Sequence, residues 1–344
     1  MDSFYSSLEQ LESSCIKLCD KGRYHIPTII YHELFRYSYP IEPISNFRHE
    51  FPKSFLQDHI KKLQLFLDSS QELDLYDLSS IRKLNNDNIT KTLAANTTEL
   101  YVSQWKKFSN KELELEALSL LEKRIPKAVI DQYIVGKKVL DFGCGSGRYS
   151  LALKAVGAKS VTALDYDIKS FMPTKYICEE KGIEIDFISR DIPNMDLNSL
   201  PEFDFIFSNG VLHHTEDWRR SLKNYLSLIK EAGYLYLYAN GGYFWNIRKS
   251  ARRVFKNIPQ DIAQRSLDSI GLPNNRFIFM DTFYVPVEEN IDKKDLMEII
   301  NKSSFKYKQL ITKNDFDPLS EFAMSLPNFR DVWGEMEHRY LIYK

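Results

Sequence analysis

Cysteine and tryptophan are scarce in this chain, with four of each among 344 residues. No run of apolar residues approaches the roughly eighteen that a membrane-crossing helix needs. That absence excludes a spanning helix. The opening residues Met1 to Ser7 lack the basic and apolar regions of a signal peptide, so the chain reads as cytoplasmic, with no membrane partner. There is no excess of charge either: 46 basic residues face 47 acidic ones, a formal charge of −1. A general affinity for nucleic acid or anionic membrane selects a basic surplus, so neither partner is expected, although local basic patches remain open. No repeat of solenoid spacing and no long low-complexity tract occurs. The cysteines fall at 15, 19, 144 and 178. Cys15 and Cys19 are one helical turn apart, and Cys15 shares an apolar stripe with Leu8, Leu11 and Leu18. No neighbouring Cys or His pair completes a metal site, so the two read as small core residues and no metal is expected.

What is present is an ordinary globular composition, 43% hydrophobic and 27% charged, in a chain longer than one common domain. Residues 1–95 read as a helical region, with one stripe through Leu8, Leu11, Cys15 and Leu18 and another through Phe55, Ile60, Leu63 and Leu67. The polar run 83–88 is a candidate linker. Asn110 is placed to cap a helix bearing Leu113, Leu118 and Leu121, closed off by Pro126. From 137 onward strands and helices alternate. Strands are predicted at 138–142, 160–165, 183–189, 203–208 and 234–238. A helix follows the first strand to about Gly157, and another ends at Gly182, with Pro173 starting or kinking it. A third puts Trp218, Leu222, Tyr225, Leu226 and Ile229 on one face and ends at Gly233. After about 240 the rhythm lapses, then a helix at 293–301 and strands at 307–312 and 338–343 return. Such alternation means an α/β, doubly wound parallel sheet. The divisions are a helical region 1–95, a nucleotide-binding core 96–245, an insert 246–306, and 307–344 completing the sheet.

The chemistry centres on the loop Asp141-Phe142-Gly143-Cys144-Gly145-Ser146-Gly147 between the first strand and its helix. Glycine turns there place an anionic or polar group on a helix N-terminus, a pattern shared by many nucleotide sites. Asp141 discriminates among them. A carboxylate beside the loop would repel a dinucleotide's pyrophosphate and suits a ligand carrying an ammonium and a sulfonium. The spacing is G-x-G-x-G, which differs from the G-x-G-x-x-G of the dinucleotide pattern. Asp165 ends the second strand 24 residues on, placed to accept both hydroxyls of a ribose. Asp191 follows the third strand, where an adenine would lie, or is a turn residue before Pro193.

These segments (Val139 to Arg148, Val161 to Asp165, Ser189 to Asp191, Phe203 to His214) resemble four successive motifs of the class I S-adenosylmethionine (SAM)-dependent methyltransferases, over about 137–240. The resemblance implies a seven-stranded Rossmann-like sheet with an antiparallel last strand, and SAM as cofactor. Carried over by position, Asp141, Gly143, Cys144, Gly145 and Gly147 hold the methionine part. Asp165 and Tyr166 take the ribose side, Asp191 and Ile192 frame the adenine, and Asn209 lies beside the methyl group. Tyr101, Gln104, Trp105 and Phe108 resemble an aromatic segment that closes over the cofactor in some members, or are core aromatics.

His213 and His214 are the imidazoles nearest the expected methyl position, candidates for a base or for shaping the loop. Residues 208–211 (Ser-Asn-Gly-Val) replace the Asn/Asp-Pro-Pro-aromatic pattern of enzymes that methylate base amino groups, which argues against that chemistry. The stretch 246–256 has five positive charges and no negative one. It is either a solvated face or an anion site. Trp245, Arg248, Arg252 and Tyr284 are its candidate acceptor contacts. The reading is an enzyme methylating a small-molecule acceptor, anionic if the 246–256 stretch contacts it, in a pocket formed by the helical region and the insert. The alternatives are a tRNA- or RNA-modifying methyltransferase and a SAM-binding scaffold without transfer. The acceptor, the methylated atom and the oligomeric state are left open.

Overall fold

The computed structural model describes residues 2–38, 53–70, 118–190, 200–241, 245–269, 283–284, 287–310 and 337–344. The predicted linker at 83–88, the aromatics Tyr101, Gln104, Trp105 and Phe108, and the acids' neighbours Asp191 and Ile192 lie outside the described residues. The chain divides into two compact units. One comprises 1–91, 244–286 and 318–334, and the other 92–243, 287–317 and 335–344. The stretch 246–306, read from sequence as one insert, is thus shared between them.

The second unit is built on seven strands: β1 (Lys138–Phe142), β2 (Ser160–Asp165), β3 (Asp186–Ser189), β4 (Phe203–Asn209), β5 (Ile229–Asn240), β6 (Lys306–Gln309) and β7 (Glu337–Tyr343). Their order is β3-β2-β1-β4-β5-β7-β6. The pairs from β3 to β5 are parallel, and β7 runs antiparallel between β5 and β6. The doubly wound sheet with a reversed strand is therefore present as expected. Side chains alternate across a strand, so consecutive apolar residues feed two cores. On β1 Leu140 and Phe142 join one core and Val139 the other; on β5 Leu235 and Leu237 oppose Tyr236 in the same way. One face is covered by helix α7 (Trp218–Ser227) and helix α10 (Lys293–Lys302) through Trp218, Leu222, Tyr225, Leu296 and Ile300. The other is covered by helices α4 (Lys127–Tyr133) and α5 (Arg148–Ala155) through Ile130, Tyr149, Ala152 and Leu153.

Several boundaries differ from the sequence pattern. Helix α7 stops at Ser227, not at Gly233, and Ile229 pairs with Phe203 as the first residue of β5. Its apolar side chain continues the helical stripe in sequence, which is why periodicity misassigned it. The register then jumps to Phe205 opposite Tyr234, a bulge that holds Ala232 at φ +59°. Pro126 does close the preceding helical turn, and also opens the unforeseen α4. Helix α6 (Ile168–Lys181) starts under the cap of Asp167, whose side chain accepts from the Lys169 amide at 3.0 Å, and runs on through position 173. Pro173 therefore does not start it.

The first unit contains helices α1 (Asp2–Asp20), α2 (His25–Ser38), α3 (Lys53–Ser70), α8 (Trp245–Phe255) and α9 (Gln260–Ser269). Leu8, Leu11, Cys15 and Leu18 are buried along α1, as the stripe predicts, and Ile60 and Leu67 along α3. Cys19 is buried as well, and desolvation pushes its thiol up to about 12. Both cysteines pack as small core residues. Among the described residues no helix is long and apolar enough to cross a membrane.

Phe207 lies at the centre of the sheet, stacked on Tyr236 at 4.9 Å and tilted against Tyr149 at 5.3 Å. Replacing a fully buried aromatic leaves a cavity its rigid neighbours cannot fill. Phe207→Ala is expected to cost about 3–5 kcal/mol in urea-induced unfolding of the intact chain. A loss below about 1 kcal/mol would place the core elsewhere.

Candidate functional site

The glycine loop leaves β1 and enters α5, and its shape follows from what its glycines lack. Gly143, Gly145 and Gly147 all have positive φ, at +80°, +51° and +75°. At Gly143 a Cβ would stand 2.4 Å from the Val211 methyl groups, so the loop after β4 closes against this glycine. At Gly147 the obstacle is Phe187 and Thr174, at 3.2 Å. At Gly145 nothing lies within 4 Å, so the loop presents an open backbone edge there. The Gly143 and Cys144 amides both donate to the Leu164 carbonyl, at 2.8 and 2.9 Å, and the Thr174 hydroxyl donates to the Ser146 carbonyl at 2.6 Å. Cys144 packs with Ala163 and Phe171, and burial holds its thiol well above the usual range, so it is a wall of the loop and not a nucleophile.

Two carboxylates meet this loop. Asp165 accepts from the Gly145 amide at 2.8 Å and from the Asp167 amide at 3.2 Å. Burial pushes its carboxyl up while those amides pull it down. Asp141 is buried beneath the loop and accepts from the Ser150 hydroxyl at 2.6 Å. Burial, opposed by Ser150 and reinforced by the charge of Asp165, raises it to about 7. Such a pair favours a cationic neighbour and disfavours a phosphate. Tyr166, next to Asp165, is 72% exposed, a free ring face at the mouth of the site. Asn209 ends β4, its side-chain oxygen 3.3 Å from the Tyr236 hydroxyl that donates to it. The structure thus gathers Asp141, Gly143, Cys144, Gly145, Gly147, Asp165 and Tyr166 around one loop, with Asn209 at the end of the adjacent strand β4.

His213 and His214 occupy a short helical turn, Leu212–His214, after β4. His213 is buried, and its Nδ1 accepts from the Asn240 amide at 3.1 Å. Its own carbonyl accepts from the Glu289 amide at 2.8 Å, and His214 Nδ1 donates to the Val287 carbonyl at 2.9 Å. Both Nδ1 atoms are engaged in fastening this turn to β5 and to the strap 287–291. That geometry is loop-shaping; it fixes the His213 ring as neutral at Nδ1.

The basic helix departs from its sequence picture of cations without counter-charge. Arg253 makes a two-pronged ion pair with Glu12 of α1, one prong at 2.6 Å, and Lys249 lies over the Trp245 ring at 5.9 Å. Glu12 is over two hundred residues away in sequence, which hides it from any local pattern. Arg248 and Arg252 are half-buried on the same helix, whose Ile247, Ala251, Val254 and Phe255 are buried. The Tyr284 hydroxyl donates to the Ile258 carbonyl at 3.0 Å and its ring packs edge-on to Phe255. These four candidate acceptor contacts belong to the first unit, the glycine loop to the second. Sequence reasoning missed Ser150, Thr174 and Val211, small residues with no motif of their own that shape the loop by packing.

A buried carboxyl raised to about 7 is protonated over a range where its unfolded counterpart is ionised. The free protein therefore loses stability as pH rises from about 4 to about 7, and no more beyond it. Asp141→Asn, which keeps the shape and removes the charge, is expected to melt higher than the native chain at pH 8 and equally at pH 4. Equal melting at both pH values would mean that Asp141 is ionised at no cost.

With this geometry in place, residues 139–233 match the family described as a methyltransferase domain. A ubiquinone biosynthesis O-methyltransferase of Coxiella burnetii is 31% identical over 154 residues, 44% of this chain and 63% of that protein. A tRNA U34 carboxymethyltransferase of Campylobacter hominis is 28% identical over 128 residues, 36% of this chain and 43% of that protein. Among solved structures, the magnesium protoporphyrin IX methyltransferase of Synechocystis PCC 6803 with bound SAH overlaps 67% of this chain and 83% of its own, at 15% identity and a TM-score of 0.38. The chain spans less than two thirds of the length of either curated relative. The stretch 139–233 of this chain accordingly belongs to the methyltransferase domain family, in its Rossmann-like form.

Proposed function

We propose that the chain is a SAM-dependent methyltransferase acting on a small-molecule acceptor. The observation that carries this reading is the joining of the glycine loop to two carboxylates, Asp141 and Asp165, whose ionisation burial opposes. The donor set fits SAM: a carboxylate for ribose hydroxyls, a second acid where an ammonium or sulfonium compensates its desolvation, and an open backbone edge at Gly145. Bound there, SAM would supply a methyl group already activated toward a nucleophile. The chain's own task is then alignment, which contributes on the order of 7–11 kcal/mol when reactants are well oriented. Asp165 holds the ribose side, Asp141 the cationic side, and Asn209, oriented by Tyr236, faces the reacting end. His213 and His214 hold the post-β4 turn in place and are assigned a positioning role.

Two features favour a small acceptor. The chain has no basic surplus, and Arg253 of the basic helix is neutralised by Glu12. The Coxiella relative's name places it in ubiquinone biosynthesis. The Campylobacter relative, named for tRNA, makes RNA the second reading. The two separate on salt: an enzyme that contacts phosphates loses RNA affinity steeply between 50 and 200 mM salt.

Calorimetry with SAM, SAH and NAD tests the cofactor assignment; the expected result is binding of the first two and not of NAD. Asp165→Ala should remain folded and lose hydrogen bonds to a charged group, about 1.5–3 kcal/mol, or roughly 10–150-fold in SAM affinity. Tighter binding of NAD than of SAM would sink the reading. In a separate series, SAH affinity should rise from pH 6 to pH 8, since a bound cation draws the Asp141 proton off. Asp141→Asn should flatten that rise. Incubation with methyl-labelled SAM and metabolite mixtures then identifies the acceptor by the mass of the labelled product.

A further inference from the structure

Helix α6 packs on β2 and β3 with one apolar face inward: Phe171, Ile177 and Cys178 are buried, beside Ala163 and Leu151. A helix on the surface of a sheet ordinarily turns a polar face to water. The outward face of α6 does not. Ile168, Met172 and Tyr176 recur there every four residues, which stacks them one above another along the helix. Ile168 is 51% exposed and Tyr176 56%, with Met172 half-buried between them. A single exposed apolar side chain is ordinary, but a stripe on a helix already buried on its other side marks a contact surface.

Two exposed charges border this stripe on one flank. Lys169 stands two turns before Tyr176, and Glu180 one turn after it. Both are set against the helix dipole: a cation in the first turn and, together with Glu179, two anions in the last. Asp167 and Lys181, which suit the dipole, lie away from this flank.

A second copy of α6 laid antiparallel accounts for both features. A twofold axis across the helix makes equal flanks face each other. The register that sets Met172 against Tyr176 of the second copy also brings Lys169 against its Glu180, and the symmetry repeats each contact. The stripe then closes over itself with both tyrosines near the centre, where aromatic anchors count most. The dipoles oppose, and each misplaced charge meets its opposite. A parallel copy would set Lys169 beside Lys169 and Glu180 beside Glu180. Nucleic acid or an anionic membrane would meet Glu180 as readily as Lys169, so charge complementarity selects the chain itself.

We propose that α6 is the contact of a twofold homodimer, antiparallel through Ile168, Met172 and Tyr176 and flanked by Lys169–Glu180 pairs. Asp165 and Tyr166 directly precede this helix, so the contact lies beside the mouth of the nucleotide site. The inference does not depend on the methyltransferase reading. One helix pair is at the small end of specific interfaces, so the dimer is a weak one, with a Kd of about 10–100 μM.

Sedimentation velocity on the full chain, from about 1 to 300 μM, tests it. The native chain is expected to pass from monomer to dimer across that range. Tyr176→Glu places a charge in the centre of the stripe and should sediment as a monomer throughout. Lys169→Glu alone and Glu180→Lys alone should each raise the dissociation constant about tenfold, because each sets like charges opposite one another at both ends. Mixed in equal amounts, these two variants should regain native affinity, since each supplies the sign the other lacks. That recovery also shows that both are folded, and it decides the question if Tyr176→Glu melts early. A native chain that stays monomeric over the whole range overturns the dimer. A dimer that a folded Tyr176→Glu leaves intact overturns the contact on α6. Folded swapped variants that fail to recover on mixing overturn the antiparallel pairing.

Discussion

The hydrogen bond from the Gly145 amide to the Asp165 carboxylate joins the ends of β1 and β2, and much of the site depends on it. A backbone donor can face that acid only if the chain turns through positive φ at Gly143, Gly145 and Gly147, a path that is costly for residues with a Cβ. The turn tightens further because Gly143 leaves room for Val211, so the loop after β4 packs on the loop after β1. Beneath this arrangement Asp141 is sealed from water with Ser150 as its described partner. The free site therefore holds two acids that burial discourages from ionising. A cationic ligand relieves that cost, while an anionic one adds to it, and this sign difference separates the site from dinucleotide sites built on similar glycine turns.

The second element of order is the strap 287–291. It is bound at the Val287 carbonyl by His214, at the Glu289 amide by the His213 carbonyl, at the Glu288 carboxylate by Asn240, and at the Ile291 carbonyl by His338. Ile291 itself is buried in the core between the sheet and α10. Both histidines thus serve the shape of the turn after β4 through ring and backbone together. A histidine whose Nδ1 accepts a backbone amide is fixed in one tautomer, and His213 in this state holds the turn after β4 against the end of β5.

Much of this was legible beforehand. The inner strands β1, β2 and β4 announced themselves through short apolar runs, because strands buried on both faces need no alternation. The loop and its two acids were legible because a tight backbone approach admits glycine and little else. Helix ends were less so. Ile229 continued the stripe of α7 while belonging to β5, since a stripe records burial and is blind to which element buries it. Prolines were equally ambiguous: Pro126 ended one helical segment and began α4.

The sequence by itself determined the fold class, the position of the nucleotide loop and the sign of charge it accepts, because each follows from local backbone constraints and from side chains within one motif. Only the tertiary structure decided the rest. It paired Arg253 with Glu12, removing the bare cationic face suggested by the linear charge pattern. It turned Ser150, Thr174 and Val211 into parts of the loop, and set Arg124 on Tyr238 more than a hundred residues away. Such contacts are made by folding between segments with no common pattern, so the partner of a charge cannot be read from its neighbours in the chain.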